Sequence, residues 1–315
     1  MRPVEVLDRD ICEGHSDLTI VPCSGKMKKV EKSRNQARIE YYGLPSPHDL
    51  KDKFGFGQIS PIFPPKKNDE KINFFAFAAS VLNRSDPSKI ESIGRQLGQL
   101  TMDDPRIRVI EAPFLGCGDG GLMPSIAMFA LAKGFLECHH SDATLQLCSD
   151  SAVSAKLARD AIDELFSLRS AGSDEQDKRT EDFEYEVALS FAGEQRSFVQ
   201  SLAYMLKAHG VRVFYDNDEQ GNLWGRNLYD HLFEIYAERS RYCVVLISKQ
   251  YLEKEWTNHE RQAAQDRAFR EKGNEYILPI KFDGSTLRSL PSTIGYVDAS
   301  LGVERIFELL MGKLR

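Results

Sequence analysis

From Tyr185 onward, short β-rich apolar runs alternate with longer stretches of helical period, and few architectures accept that order. The runs are YEVALSF, VRVFYD, YCVVLIS and YILPIKF. Between them lie a helix ending at His209 before Gly210, a second from about Trp224 to Arg239, and a long one through KEWTNHERQAAQDRAFREKG. A final helix, GVERIFELLMGKL, closes the segment. Parallel strands need a crossover of a dozen or more residues, so this βα alternation predicts a mostly parallel sheet covered on both faces.

Upstream of Tyr185 the stretch LRSAGSDEQDKRTEDFE loses its apolar periodicity and reads as a linker. The expected division is a first domain over 1–168, a linker over 169–182 and a second domain over 183–315. The first domain also reads as α/β, with strands at Val4 to Leu7, Leu18 to Val21, Ile72 to Phe77, Ile107 to Glu111 and Thr144 to Leu147. Its clearest helices run from Met123 to about His139 and from Ser151 to Leu168, while Met27 to Pro65 is irregular and yields no assignment.

Several function classes are disfavoured at once. The longest apolar stretches fall far short of the roughly 18 residues a membrane span needs, and MRPVEVLDRD has no apolar signal core, so the expectation is a cytoplasmic protein without a membrane partner. Six cysteines without a C-x-x-C pair suit a reducing compartment and make structural zinc a poor fit. A net charge of −6 argues against a nucleic-acid partner, which requires a concentrated basic surface. Cys138-His139-His140 is better read as a solvated helix end than as a metal site, because adjacent side chains converge poorly.

Three C-terminal stretches carry chemistry. ALSFAGEQR takes a strand through Phe191, Ala192 and Gly193 into a helix, which is either a plain turn or a binding edge at a strand's carboxyl end. FYDNDEQGNLWGRNL ends a strand at Asp216 and spends Trp224 on a loop, either to stack a flat ring or to plug a core. In SKQYLEKEWTNHERQAA, Trp256 and Glu260 stand four apart and share one helix face.

Together these stretches, with LSFAGE, WGRNL, W-x-x-x-E-R and YILPIKFD, closely resemble the TIR domain in its bacterial enzyme form, over Tyr185 to about Leu314. The resemblance implies a flavodoxin-like fold and cleavage of NAD⁺ at its nicotinamide–ribose bond. NAD⁺ would be a substrate, with no cofactor. The family's catalytic glutamate falls on Glu260, and the residues lining its nucleotide cleft correspond to Phe191, Ala192, Arg196, Asp216, Trp224, Ser248 and Trp256. Nicotinamide leaves NAD⁺ as a neutral molecule, so no general acid is required, and one carboxylate suffices to stabilise the oxocarbenium-like ribose. Water as acceptor gives ADP-ribose; an acceptor on the same molecule gives a cyclic isomer. The family also includes non-catalytic signalling adaptors, which commonly lack the glutamate.

In the first domain the strongest feature is RVIEAPFLGCGDGGLMPSIAMFALAKGF: a strand, then Gly116, Cys117, Gly118, Asp119, Gly120 and Gly121, then a helix with Pro124 in its first turn. Such a loop lets backbone N–H groups approach a diphosphate, although glycines also build ordinary turns. Glu111 and Asp119 flank it, and either is a candidate site carboxylate, though a carboxylate would repel a bound diphosphate. The loop resembles that of macro domains, which bind ADP-ribose, and VEVLDRDI is similar to that family's opening strand. The resemblance implies a macro-like α/β/α domain with Asp10 at the adenine and Ile11 beside it; otherwise Asp10 is a surface turn carboxylate. Macro enzymes that remove ADP-ribose carry asparagine after the second strand, where Pro22, Cys23 and Ser24 stand here. Binding is therefore expected over ADP-ribosyl hydrolysis.

The combined expectation is a TIR domain that cleaves NAD⁺, self-associates to complete its cleft, and is joined to a macro-like domain that senses ADP-ribose or a cyclic ADP-ribose-type ligand. By resemblance the setting is bacterial anti-phage defence.

Overall fold

The computed structural model describes residues 2–26, 33–67, 70–170, 183–215, 235–255, 276–287, 290 and 294–314. The chain divides into two compact units, Met1–Gly172 and Ser173–Arg315.

The first unit is built on a five-stranded, all-parallel sheet of β1 (Val4–Leu7), β2 (Ser16–Ser24), β3 (Ile72–Val81), β4 (Val109–Pro113) and β5 (Thr144–Cys148), in the order β1-β5-β4-β2-β3. Its helices are α1 (Arg34–Tyr42), α2 (Pro87–Asp103), α3 (Pro124–Cys138) and α4 (Ala152–Ser170). Leaving β3 and then β4, the chain steps in the same direction across the sheet, so right-handed crossovers put α2 and α3 on one face. There α3 is buried nearly all round, from Ile126 to Ala132 and again at Gly134 to Leu136. On the other side Tyr42, Phe54, Phe75 and Phe77 form a core with Ile39 of α1 and Phe63 against it.

Helices α2 and α3 meet backbone to backbone. A Cβ on Gly94 would lie 2.1 Å from the Leu131 carbonyl oxygen, and one on Gly134 would lie 2.0 Å from that of Glu91. The same approach brings Lys133 to Glu91 at 3.1 Å and Arg95 to Glu137 at 2.6 Å.

Several local expectations are corrected. The unassigned stretch after Met27 contains α1, started by the Ser33 hydroxyl accepting from the Gln36 N–H and stopped by Gly43 at φ 60°. Beyond it, Ile59 and Phe63 bridge antiparallel to β3. Strand β2 runs on through Pro22 to Ser24, because its pairing with β4 ends at Thr19↔Glu111 and leaves Pro22 with a neighbour on one side only. Helix α4 continues two residues past Leu168.

The second unit holds β6 (Tyr185–Ser190), β7 (Val213–Phe214), β8 (Ser240–Ile247), β9 (Ile277–Lys281) and β10 (Val297–Asp298), again all parallel, in the order β10-β9-β8-β6-β7. This is the flavodoxin-like order. Its described helices are α5 (Arg196–Ala208), α6 (Lys249–Glu255) and α7 (Val303–Leu314). Strand β7 is only two residues of the expected VRVFYD, Ile235–Arg239 is a π-helical turn, and β10 is a fifth strand too short to show in the pattern.

Candidate functional site

In an open α/β sheet the crevice for a ligand opens outside the carboxyl ends of strands, where successive connections part in opposite directions. In the second unit the chain leaves β6 toward β7 and leaves β8 toward β9, so the switch point lies between β6 and β8. On the β6 side, Phe191 stacks with Tyr215 at a ring separation of 5.7 Å, and the Arg196 guanidinium lies 5.4 Å from the Phe191 centroid. Arg196 also donates to the Tyr215 hydroxyl at 3.4 Å. This is a flat aromatic surface topped by a cation, suited to a ring and a phosphate. Ala192 beside it is buried, and its carbonyl accepts the Gln195 N–H as the chain turns into α5.

On the β8 side the Ser248 hydroxyl accepts the Tyr251 N–H at 3.1 Å, making Ser248 a buried helix cap. The buried Tyr251 hydroxyl meets Ser190 Oγ at 2.8 Å, tying α6 to the end of β6. Asp283, following β9, accepts the Lys249 N–H at 2.9 Å. The Ser285 hydroxyl, with the Lys249 and Ser285 N–H groups, holds its carboxyl below the usual carboxylate range. Three contacts thus fix the start of the helix in which the sequence places Trp256 and Glu260. Those two residues, with Asp216 and Trp224, lie outside the described residues.

Tyr215 was not singled out in the sequence. Its only local signal is its place at a strand's carboxyl end, immediately before Asp216.

The first unit has its own switch point. The chain leaves β2 for β3 on one side and β4 for β5 on the other, so the crevice lies between β2 and β4. The Gly-rich loop follows β4 directly. Gly116 and Gly121 have φ of 82° and 72°, the Gly121 N–H donates to Gly118 and the Leu122 N–H to Gly116. Ser85 braces the loop: its N–H donates to the Gly120 carbonyl, its hydroxyl to that of Ser80. A Cβ on Gly116 or Gly120 would strike the Ser85 hydroxyl at 2.8 or 2.0 Å. A Cβ on Gly118 would meet nothing within 4 Å, and its φ is not positive, so neither packing nor backbone conformation demands glycine there. Asp119 is exposed, and burial pushes the Cys117 thiol up to about 12, so it stays uncharged beside any anion. Helix α3 then begins at Pro124 without a side-chain cap.

Asp10 and Ile11 sit in the turn after β1. Asp10 accepts the Ile11 N–H at 2.9 Å and pairs with Arg38 of α1 at 2.5 Å, and Ile11 is buried. Glu111 is wholly buried, with Arg9 2.6 Å away, which removes it as a carboxylate exposed to a ligand at the loop. At the end of β2, where the hydrolytic asparagine of macro enzymes would stand, the Asn35 amide reaches over from α1. It is engaged at both ends, donating to the Pro22 carbonyl and accepting from Arg38. Cys138, His139 and His140 serve separate neighbours: the Arg95 carbonyl, the Phe135 ring and the Asp142 N–H. Among the described residues no cluster of three or more His, Cys, Asp or Glu side chains could hold a metal, and no helix is long and apolar enough to cross a membrane.

The family model for the TIR domain matches residues 187–311. The C-terminal unit carries a TIR domain. This domain is 53% identical over 116 residues to the 3′ cyclic ADP-D-ribose synthase AaTIR of Aquimarina amphilecti, covering 37% of this chain and 35% of that protein. It is 36% identical over 99 residues to the NAD(+) hydrolase TcpA of a Theionarchaea archaeon, 31% of this chain and 29% of the relative. The 2′ cyclic ADP-D-ribose synthase AbTIR of Acinetobacter baumannii is 34% identical over 98 residues, 31% and 35% of the two chains. The chain thus spans about a third of the length of the curated relatives that its TIR domain matches. Among solved structures, the macrodomain of Mycobacterium tuberculosis DarG is similar at 13% identity and a TM-score of 0.41, over 47% of this chain and 98% of the other. The Oceanobacillus iheyensis macrodomain with ADP is similar at 10% identity and a TM-score of 0.42, over 52% and 92%.

Proposed function

We propose that the TIR domain cleaves NAD⁺ at the nicotinamide–ribose bond, with Glu260 as its catalytic carboxylate. The observation that carries this reading is the 53% identity, over 116 residues, to a protein named as a 3′ cyclic ADP-D-ribose synthase. The β6–β8 crevice supports it, since the Phe191–Tyr215 stack and Arg196 offer the base and phosphates of a dinucleotide what they need. The same identity favours a cyclic product with the 3′ linkage over hydrolysis to ADP-ribose. Incubating the 315-residue chain with NAD⁺ and resolving nicotinamide and nucleotide by chromatography and mass tests both parts, because the hydrolytic product is heavier by one water. No nicotinamide at any protein concentration, with or without added ADP-ribose, would leave a signalling adaptor.

The TIR domains act as an assembly in this reading, two neighbours completing one cleft. Specific activity is then expected to fall on dilution as the assembly dissociates. Constant specific activity down to a demonstrably monomeric sample would sink that part.

The first unit, on this proposal, binds an ADP-ribose-type nucleotide and couples it to the TIR output, in a setting of bacterial defence against phage. Strand β1 lies two strand spacings from β4, about 10 Å. A nucleotide can therefore lay its base at Asp10 and its diphosphate on the Gly loop. The engagement of Asn35 at both ends favours binding over hydrolysis.

Gly118 gives the direct test. Gly118→Ala is expected to leave thermal stability unchanged and to weaken ADP-ribose binding by about tenfold or more in calorimetry, the methyl taking space kept for the ligand. Gly116→Ala, at φ 82° and against Ser85, is expected to destabilise the fold by more than about 1 kcal/mol. Equal stability losses for both would mean the loop is only a turn.

A further inference from the structure

One carboxylate grips the turn after β1 at two points. Glu111 lies in β4, wholly buried, with Thr19 of β2 and Gln146 of β5 as its register partners. Its Oε1 forms an ion pair with the Arg9 guanidinium at 2.6 Å, and its Oε2 accepts the Cys12 N–H at 2.9 Å. Arg9 and Cys12 immediately flank Asp10 and Ile11.

The turn is shaped around this grip. Cys12 has a φ of 72°, alone in that region among the described non-glycine residues, and such a conformation persists only where surroundings enforce it. Gly14 lies so near the Arg9 guanidinium that a Cβ there would fall 2.1 Å from Nη1. Arg9 Nη2 also donates to the Gln146 amide oxygen at 3.2 Å. A buried ion pair contributes little net stability against a well-packed apolar substitute, so its use beneath a short turn calls for another reason.

Resting on the reading that this unit binds an ADP-ribose-type nucleotide, we infer that Glu111 is a positioning residue for base recognition. It touches no ligand. Through Arg9 and the Cys12 N–H it sets the height and direction of the Asp10–Ile11 turn, so that the Asp10 carboxylate meets the edge of the base. A displaced turn would lose discrimination at the base while the Gly loop kept its hold on the diphosphate.

The test measures binding of ADP-ribose, its inosine analogue and inorganic pyrophosphate to the 315-residue chain by calorimetry. Wild type is compared with Glu111→Gln and with Arg9→Lys, whose ammonium cannot pair with Glu111 and Gln146 in the guanidinium's fork geometry. Wild type is expected to prefer ADP-ribose, because its 6-amino group donates to Asp10 and the inosine oxo group cannot. Both variants should bind ADP-ribose about tenfold more weakly, with the base preference reduced and pyrophosphate binding unchanged. A merely structural role would lower binding of all three ligands together, through the folded fraction. Unchanged ADP-ribose affinity and base preference in a folded variant would overturn the inference. Arg9→Lys alone decides if Glu111→Gln does not fold. Wild type failing to bind ADP-ribose would instead overturn the nucleotide reading, and this inference with it.

Discussion

Glu260→Gln is expected to lower nicotinamide release from NAD⁺ by at least about 100-fold, with the thermal transition of the chain unchanged. Glutamine keeps the size of the side chain and one acceptor oxygen, so what is removed is the negative charge. That charge matters most as the ribose becomes cationic. The expected signature is a loss in kcat larger than any rise in KM, because the ground-state nicotinamide riboside gains less from the carboxylate than the transition state does. A variant that cleaves NAD⁺ at the wild-type rate would remove Glu260 from catalysis and move the search for the stabilising carboxylate elsewhere in the domain.

The largest stability effect is expected at the crossing of α2 and α3. Gly134→Ala places a methyl 2.0 Å from the Glu91 carbonyl oxygen and 2.8 Å from the Arg95 nitrogen, both backbone atoms of a helix that cannot yield locally. Alanine favours an isolated helix by about 1 kcal/mol, yet the helices must part to admit it, at a net cost of about 3 kcal/mol. Parting them also stretches the Lys133–Glu91 and Arg95–Glu137 pairs. The first unit should then melt roughly 6–12 °C lower. Gly312→Ala in α7, where a Cβ meets nothing within 4 Å, is the control and should raise stability of the second unit by up to about 1 kcal/mol. Calorimetry resolving the two transitions checks both; an unshifted first transition in Gly134→Ala would mean the helices are not in backbone contact.

The parallel sheet of the second unit and the strands of the first were legible because their signals are local. A strand such as YCVVLIS is apolar throughout because both its faces are covered, and the Gly-rich loop stands out because backbone conformation at Gly116 and Gly121 excludes most other residues. Helix α1 was not legible: Ile39, Tyr41 and Tyr42 are its only large apolar residues, so its periodicity is too thin, and its caps alone did not identify it. Tyr215 and the buried contacts of Glu111 were not legible for a different reason. Their environments come from strand register and long-range packing, which place Glu111 between β2 and β5 and Tyr215 against Phe191. Glu111 reads as a loop-flanking carboxylate until the sheet is assembled around it.

The strand order of the first unit also fixes when the turn after β1 can take its final shape. Strand β1 has β5 as its partner, with Val4 opposite Leu145 and Leu7 opposite Cys148. A ribosome adding roughly 5–20 residues per second delivers β1 many seconds before β5. Throughout that interval the first strand made has no place in the sheet, and Arg9 has neither its Gln146 contact nor a completed β4–β5 register beside Glu111. The turn at Asp10 is therefore among the first parts of the unit to be synthesised and among the last to take shape. A nascent chain arrested before β5 would carry the Gly-rich loop but lack a settled Asp10 turn.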